Sequence, residues 1–442
     1  VTTDMREQLE RLAGEATPAR APADLWRRGV RRRRRIRAAS ALATVTAVLV
    51  AMLGSAVAWD QLRADEPTPT GNAAVAALPD RLVTPDIWLP GTADAGPIGP
   101  LAVVAGAERA AGWFGTENGT VAVSATTGEY RFLDLPGRAE DGTALSVDQP
   151  WALSPDGRIV SYWIGQPGHP DRVGGYAAYD TVTGEVTRHP VRTELGLSPL
   201  TMEWVSADTV LLAYGVVTEL RADSATGRHV RDRFWAPGPD RLTPVDLGDP
   251  GVGNVSPVPG GFAAPLAHGL AVYDVPSGDR GPVLRYPAGL NPQQVTVDPS
   301  GRRAAALPEI TGGNGFSTRR LLVGALGQGR ADLRPLRVEV DVFDLLGWTD
   351  SRHLVVRGSV GQRVAAYAVD VRTGDHRVLV AEERERWGEF PQYAGSLLAR
   401  PPVARPAPDD VTDPRLLALG AGTAALALAG GLLLVRRRRA RV

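Results

Sequence analysis

Two kinds of turn alternate along the middle of this chain, and that alternation restricts its fold more than any other feature. The first kind joins two short apolar strands through Pro, Asp, Ser and Gly. Trp151 to Trp163, around Ser154-Pro155-Asp156-Gly157-Arg158, is one copy, and Val295 to Leu307, around Pro299-Ser300-Gly301-Arg302-Arg303, is another. Weaker copies run from Trp204 to Leu212 and from Trp348 to Val356. The second kind ends an apolar strand in a Thr/Ser-Gly turn: Ala178 to Gly184, Val272 to Gly278 and Ala368 to Gly374, with Ala122 to Gly128 and Ala222 to Gly227 beside them. Proline presets φ and glycine accepts a positive one, so Asp156-Gly157 and Ser300-Gly301 close tight hairpins. In the second kind, Asp180, Asp274 and Asp370 are expected to bond to their own turns.

One turn of each kind makes four strands joined by hairpins, the content of one propeller blade. Anchors of the first kind fall near Thr116, Ser154, Ser206, Pro259, Pro299 and Thr349, at intervals of 38, 52, 53, 40 and 50 residues. Blades of about 40–50 residues have this period. An all-β propeller over residues 82–400 is therefore expected, with Gln166 to Gly175 and Glu309 to Ser317 as loop insertions. Strands at Leu82 to Leu89 and Phe390 to Leu398 are left over at opposite ends. They either complete each other and close a ring of six blades, the preferred count, or form a seventh. Trp151, Trp204 and Trp348, just before first-kind turns, are expected between blades.

Ser154-Pro155-Asp156-Gly157-Arg158 and Pro299-Ser300-Gly301-Arg302-Arg303 resemble the repeats of WD-like and TolB-like β-propellers. The whole layout resembles membrane-anchored propeller proteins of high-GC actinobacteria. The resemblance implies a fold and a habitat, and by analogy a link to envelope-stress or sigma-factor signalling. It carries no reaction, because propellers host many unrelated functions.

Two uncharged apolar runs flank this middle: Ala38 to Trp59, 22 residues, and Leu416 to Val435, 20 residues. As helices they are about 33 and about 30 Å long, which a bilayer core of about 30 Å requires. Arg31, Arg32, Arg33, Arg34 and Arg35 precede the first run, and Arg436, Arg437, Arg438 and Arg439 follow the second. Cationic flanks stay cytoplasmic, so both termini are expected inside, against an anionic inner leaflet, and the propeller outside. The expected layout is a tail over 1–37, a membrane helix over 38–59 and a linker over 60–81. After the propeller come a Pro-rich linker over 401–415, a membrane helix over 416–435 and a basic tail over 436–442. Ala56-Val57-Ala58 has the form of a signal-peptidase site, so cleavage after Ala58 is the alternative for the first helix. In the tail, Met5, Leu9 and Leu12 share one helical face. With Trp26 they suit the membrane surface or a cytoplasmic regulatory protein.

The chain nets to zero charge, yet residues 60–414 carry 32 Arg against 44 Asp and Glu. That acidic middle has no reason to bind nucleic acid. Cysteine and lysine are absent, which excludes thiolate and Schiff-base chemistry. No serine elbow, His-Glu-x-x-His or P-loop occurs. His169, His189, His229, His268, His353 and His376 lack close metal-ligand spacing. No catalytic residue, metal or cofactor is expected. The expectation is a non-enzymatic ectodomain that binds a protein or glycan and couples inward through the tail. The alternatives are a hydrolase or lyase with its site in a central funnel, His169 being the best candidate there, and a passive envelope scaffold.

Overall fold

The structure, a computed structural model, describes Arg11 and residues 75–139, 151–221, 224–229, 233–235, 242–245, 247, 255–275, 277–290, 292–308, 320–383, 391–408, 411 and 413–439. Arg11 is helical. Met5, Leu9, Leu12, Trp26, Arg31 to Arg35, the first apolar run, His229's side chain and the 309–317 insertion lie outside the described residues.

Strand β1 (Arg81–Leu82) and a short helix α1 (Thr92–Ala95) come first. Antiparallel meanders then follow one another. The first has β2 (Leu101–Ala111), β3 (Gly115–Ser124) and β4 (Tyr130–Phe132). The second has β5 (Trp151–Leu153), β6 (Ile159–Gln166), β7 (His169–Asp180) and β8 (Val186–Pro190). The third has β9 (Leu197–Trp204), β10 (Val210–Arg221), β11 (Ser224–His229), β12 (Arg233–Trp235) and β13 (Leu242–Pro244). There β11 and β12 are successive stretches along the same edge of β10. The fourth has β14 (Ser256–Val258), β15 (Gly261–Leu266), β16 (Gly269–Asp274) and β17 (Leu284–Arg285). The fifth has β18 (Pro292–Val297), β19 (Arg303–Pro308), β20 (Leu322–Gly327) and β21 (Arg330–Pro335). The sixth has β22 (Asp341–Trp348), β23 (His353–Val360), β24 (Arg363–Asp370) and β25 (His376–Glu382). Last come β26 (Gln392–Tyr393), a 3-10 turn (Gly395–Leu397) and α2 (Pro414–Arg439).

The leftover end strands do close the sheet system, each on the far side of the seam. β1 adds in parallel to β25 of the last meander, and β26 adds antiparallel to β2 of the first. The segments beside them also meet directly. Val403 donates its N–H to the Leu78 carbonyl at 2.9 Å, and Asp80 donates to the Val403 carbonyl at 3.1 Å.

Sequence dictates face-to-face packing of the meanders. β24 reads Val364-Ala365-Ala366-Tyr367-Ala368-Val369 and is buried on both faces, as a strand must be when sheets stack on either side. Small alanines let sheets approach at about 10 Å. Five apolar clusters occupy the interfaces. One joins the sixth, first and second meanders through Val355, Val380, Val104, Val121 and Tyr162. The others join second to third (Trp163 with Trp235), third to fourth (Phe234 with Phe262), fourth to fifth (Leu270 with Val297) and fifth to sixth (Leu307 with Leu354). Packing therefore passes from each meander to the next and back to the first, the arrangement of a β-propeller.

Three details differ from the sequence reading. The extra residues between Gln166 and Gly175 form no loop: Gln166 pairs with His169, so the β6–β7 hairpin turns in two residues, and register shifts opposite Gly165 and Gln166 take up the surplus within β7. Thr116 is not at a first-kind turn but in the β2–β3 hairpin. The first meander takes its inner strand, β26, from the far end of the chain, so it has no turn there to find. Ala222 to Gly227 lies at the β10–β11 hairpin, between the second and third strands, and not at a second-kind turn.

Residues 71–411 form one compact unit; 1–70 with 412–442 form the other. The second apolar run lies within α2, a helix of 26 residues. Among the described residues no helix is long and apolar enough to cross a membrane. In α2 the side chains of 417, 421, 423–428, 434, 435 and of Arg438 and Arg439 lie outside the described residues; Arg436 and Arg437 are exposed.

Candidate functional site

The turns that stand out in the sequence are structural joints. Ser154 Oγ donates to Asp156 Oδ1 at 2.6 Å, and that oxygen also accepts the Arg158 N–H at 3.0 Å. The Gly157 φ is +76°, and a Cβ there would lie 1.9 Å from the Leu101 carbonyl oxygen, so only glycine lets β2 come so near. At Ser300-Gly301 the acid stands two places earlier: Asp298 accepts the Arg302 and Arg303 N–H groups and the Ser300 hydroxyl. Asp180 accepts the Val182 and Thr183 N–H groups, Asp370 accepts that of Arg372, and Asp274 accepts the Ser277 hydroxyl. Arg158 reaches Asp180, and Arg352 reaches Asp370, so in the second and sixth meanders an arginine ties one turn to the other. Arg352 and then the Arg372 N–H hold the Asp370 carboxyl down at about 2.

Trp151, Trp204 and Trp348 are buried between meanders, and Trp204 Nε1 donates to the Ala152 carbonyl of the preceding one at 3.1 Å. Other inner strands carry similar bonds. Gln392 gives its amide to the Trp151 carbonyl and takes the Leu153 N–H, both at 3.0 Å. The Val255 N–H reaches Glu203 Oε2, the Val297 N–H reaches Ser256 Oγ, and the Leu345 N–H reaches Gln294 Oε1.

The sixth and first meanders meet through a buried charged cluster instead. Arg357 and Glu382 side chains are each 4% exposed. Arg357 Nε and Nη2 bond to the Glu382 carboxylate at 2.8–3.0 Å. Tyr393 of β26 donates its hydroxyl to Glu382 Oε1 at 2.8 Å. Burial first, and then the Glu382 charge, push the Tyr393 hydroxyl well above its ordinary pKa. Sequence reasoning missed this cluster. Its trace is a lone arginine in an otherwise apolar strand, Leu354-Val355-Val356-Arg357-Gly358.

The open site lies at the rim, between the first and second meanders. It is a cleft of about 450 Å³ whose lining includes Thr92, Arg109, Asn118, Thr120, Asp134, Arg138 and Tyr179. Asp134 is its keystone. One oxygen accepts Arg109 Nη1 at 2.5 Å, and the other accepts the Ala93 N–H at 2.7 Å, in the first turn of α1. The Asp134 N–H returns to Thr92 Oγ1 at 2.9 Å. The Arg109 guanidinium lies over the Phe132 ring, 5.3 Å from its centre. Arg138 reaches the Asn118 carbonyl at 3.2 Å. Each Asp134 oxygen thus accepts a bond from within the chain, which fixes the carboxylate between α1 and Arg109.

The described histidines stay apart. His169 is an exposed strand end, and His268 is exposed at the β15–β16 turn. His189 stacks on Tyr176 at 5.3 Å, His353 pairs with Asp350, and His376 meets the Tyr367 ring edge-on. Among the described residues no group of His, Asp and Glu is placed to hold a metal. Every displaced pKa among them moves away from neutrality: Tyr130 and Tyr162 rise to about 12 by burial, and Asp180, Asp208 and Asp350 fall through hydrogen bonds that outweigh burial.

No family model matches the chain, and no curated protein matches it. Among solved structures it is similar to TolB from Acinetobacter baumannii, at 14% identity and a TM-score of 0.39, covering 69% of each chain. It is also similar to the Kuenenia stuttgartiensis hydrazine synthase, at 15% identity and a TM-score of 0.35, over 56% of this chain and 71% of that one. Likenesses this slight decide neither fold nor function.

Proposed function

We propose that this chain is a membrane-tethered, non-enzymatic six-bladed β-propeller that binds a protein outside the cytoplasm and couples to a cytoplasmic regulator through residues 1–37. The six meanders, with β26 as inner strand of the first and β1 outermost on the last, support the blade count. The arginine-fenced runs at 38–59 and 416–435 support two membrane helices with both termini inside. The observation that carries the binding role is the rim cleft. It is open, it combines apolar and polar lining, and its Arg109 and Asp134 side chains are bonded to each other, so it offers shape and hydrogen bonds to a partner.

The test is a cross-linked pull-down of tagged full-length protein from native membranes, beside Asn118→Arg and a form lacking residues 1–37. Asn118 lines the cleft, and an arginine there fills it. The expected result is an envelope protein captured by wild type and lost with N118R, and a cytoplasmic protein lost with the truncation. Equal recovery of all partners by the three forms would overturn the proposal.

A further inference from the structure

The tip of the β2–β3 hairpin is unlike its counterparts among the described residues. Its base, up to Ala107 on β2 and from Thr120 on β3, is buried, whereas the arm beyond is largely exposed. The turn is Gly112-Trp113-Phe114, with Gly112 at φ +58°. Trp113 is 54% exposed and Phe114 98%, so the Phe114 ring touches almost nothing of its own chain. The corresponding turns between second and third strands are Pro167-Gly168, Ala267-His268 and Gly361-Gln362 in the second, fourth and sixth meanders. Those are small or polar. The Phe114 ring adds little to the fold, and an exposed aromatic pair costs solubility.

The geometry points to a lipid bilayer interface as the occupant: we infer that Trp113 and Phe114 insert between lipid headgroups. This rests on the membrane-tethered reading above. Both leads are pinned beside Ala125, at the far end of β3 from the tip, and residues 406–413 when extended span about 27 Å, so the tip enters a bilayer with that lead drawn out along the hairpin. Three features select lipid over a protein groove. The tip is convex, with two adjacent rings at the end of an arm, and a headgroup layer receives such a shape without a matching pocket. Tryptophan and phenylalanine favour the interfacial region. Residues 110–116, from Ala110 to Thr116, carry no charge, while Glu108, Arg109 and Glu117 stand just behind them. Those charges stop the insertion after three or four residues, about 10 Å at the rise of a strand. The two acids also mean that apolar insertion, rather than attraction to anionic lipid, supplies the contact.

The chain has no cysteine, so one introduced thiol is a unique label site. Full-length Thr116→Cys, carrying an environment-sensitive fluorophore, is reconstituted in phosphatidylcholine vesicles that contain a nitroxide-labelled lipid. Gln362→Cys, at the sixth meander's tip, is the control. Co-flotation with the vesicles reports the tether; quenching reports the tip. The expected result is co-flotation of both forms, with at least twofold stronger quenching at position 116, lost when Trp113→Ser and Phe114→Ser are added. Co-flotation with equal quenching at the two positions overturns the inference and leaves the tether standing. Equal shielding of the 116 label in lipid-free detergent solution overturns it in favour of a second copy of the chain. Failure to float overturns the tethered reading, and this inference with it.

Discussion

Meanders that follow one another in the chain are joined by single side chains reaching a neighbouring main chain, whereas the sixth and first, which meet only on closure, are joined where Tyr393 donates to a carboxylate already held in a buried ion pair within the sixth. Along the serial seams an amide, an indole, a hydroxyl or one carboxylate reaches a neighbouring main chain: Gln294 to Leu345, Trp204 to Ala152, Ser256 to Val297, Glu203 to Val255. At the closing seam Arg357, Glu382 and Tyr393 form a buried ionic cluster over an apolar cluster. Connectivity explains the contrast. A short linker keeps serial neighbours close. Closing a loop of about 300 residues costs on the order of 5 kcal/mol, and β1 and β26 offer only two residues each. A strong, directional contact belongs where the chain gives least help.

The largest test of that contrast is Arg357→Met. It leaves Glu382 buried with only the Tyr393 hydroxyl for a partner and should lower stability by about 3–5 kcal/mol in urea unfolding, part of it recovered by adding Glu382→Leu. A loss below about 1 kcal/mol would mean that the Tyr393 bond and apolar packing hold the seam without the ion pair. Next in size is a pair of glycines. Gly157→Ala should cost roughly 3 kcal/mol, combining a positive φ with a clash against the Leu101 main chain. Gly301→Ala, at φ +68° with nothing near the added Cβ, should cost about 1 kcal/mol. Equal losses would show that the first meander does not depend on that close approach.

The smallest effect is a matter of pH. The Asp370 carboxyl is held at about 2 in the fold and titrates near 3.9 when unfolded. Its contribution is therefore fully present above about pH 4 and lost as pH falls toward 2. Asp370→Asn should lower Tm at pH 7, and the gap to wild type should narrow below pH 4. A gap that stays constant down to pH 3 would remove Arg352 and Asp370 from the account.

Turn chemistry was legible because it is local. Asp156 with Gly157, and Asp370 with Gly374, declare their bonds within a few residues, and so the repeat and fold class followed. The seams were not legible. Gln392 meets Trp151 across 241 residues of sequence, and no local pattern marks a glutamine for that task. The rim cleft was hidden for the same reason, since α1, β3 and β7 each supply part of it. Trp113-Phe114 between two glycines was readable as an aromatic turn, but aligning Thr116 with turns of another kind obscured it.

The pairing of Leu78 and Asp80 with Val403 has a mechanical consequence. The two chain segments that lead to and from the propeller are hydrogen-bonded side by side, reinforced where Arg405 reaches the Ala125 carbonyl at 3.0 Å and Arg400 the Ala76 carbonyl at 2.9 Å. Tension applied to both leads is borne first by this small clamp. The blades carry load only after the clamp has sheared, so the ring is insulated from tugging that would otherwise peel β1 and β26 from its edges.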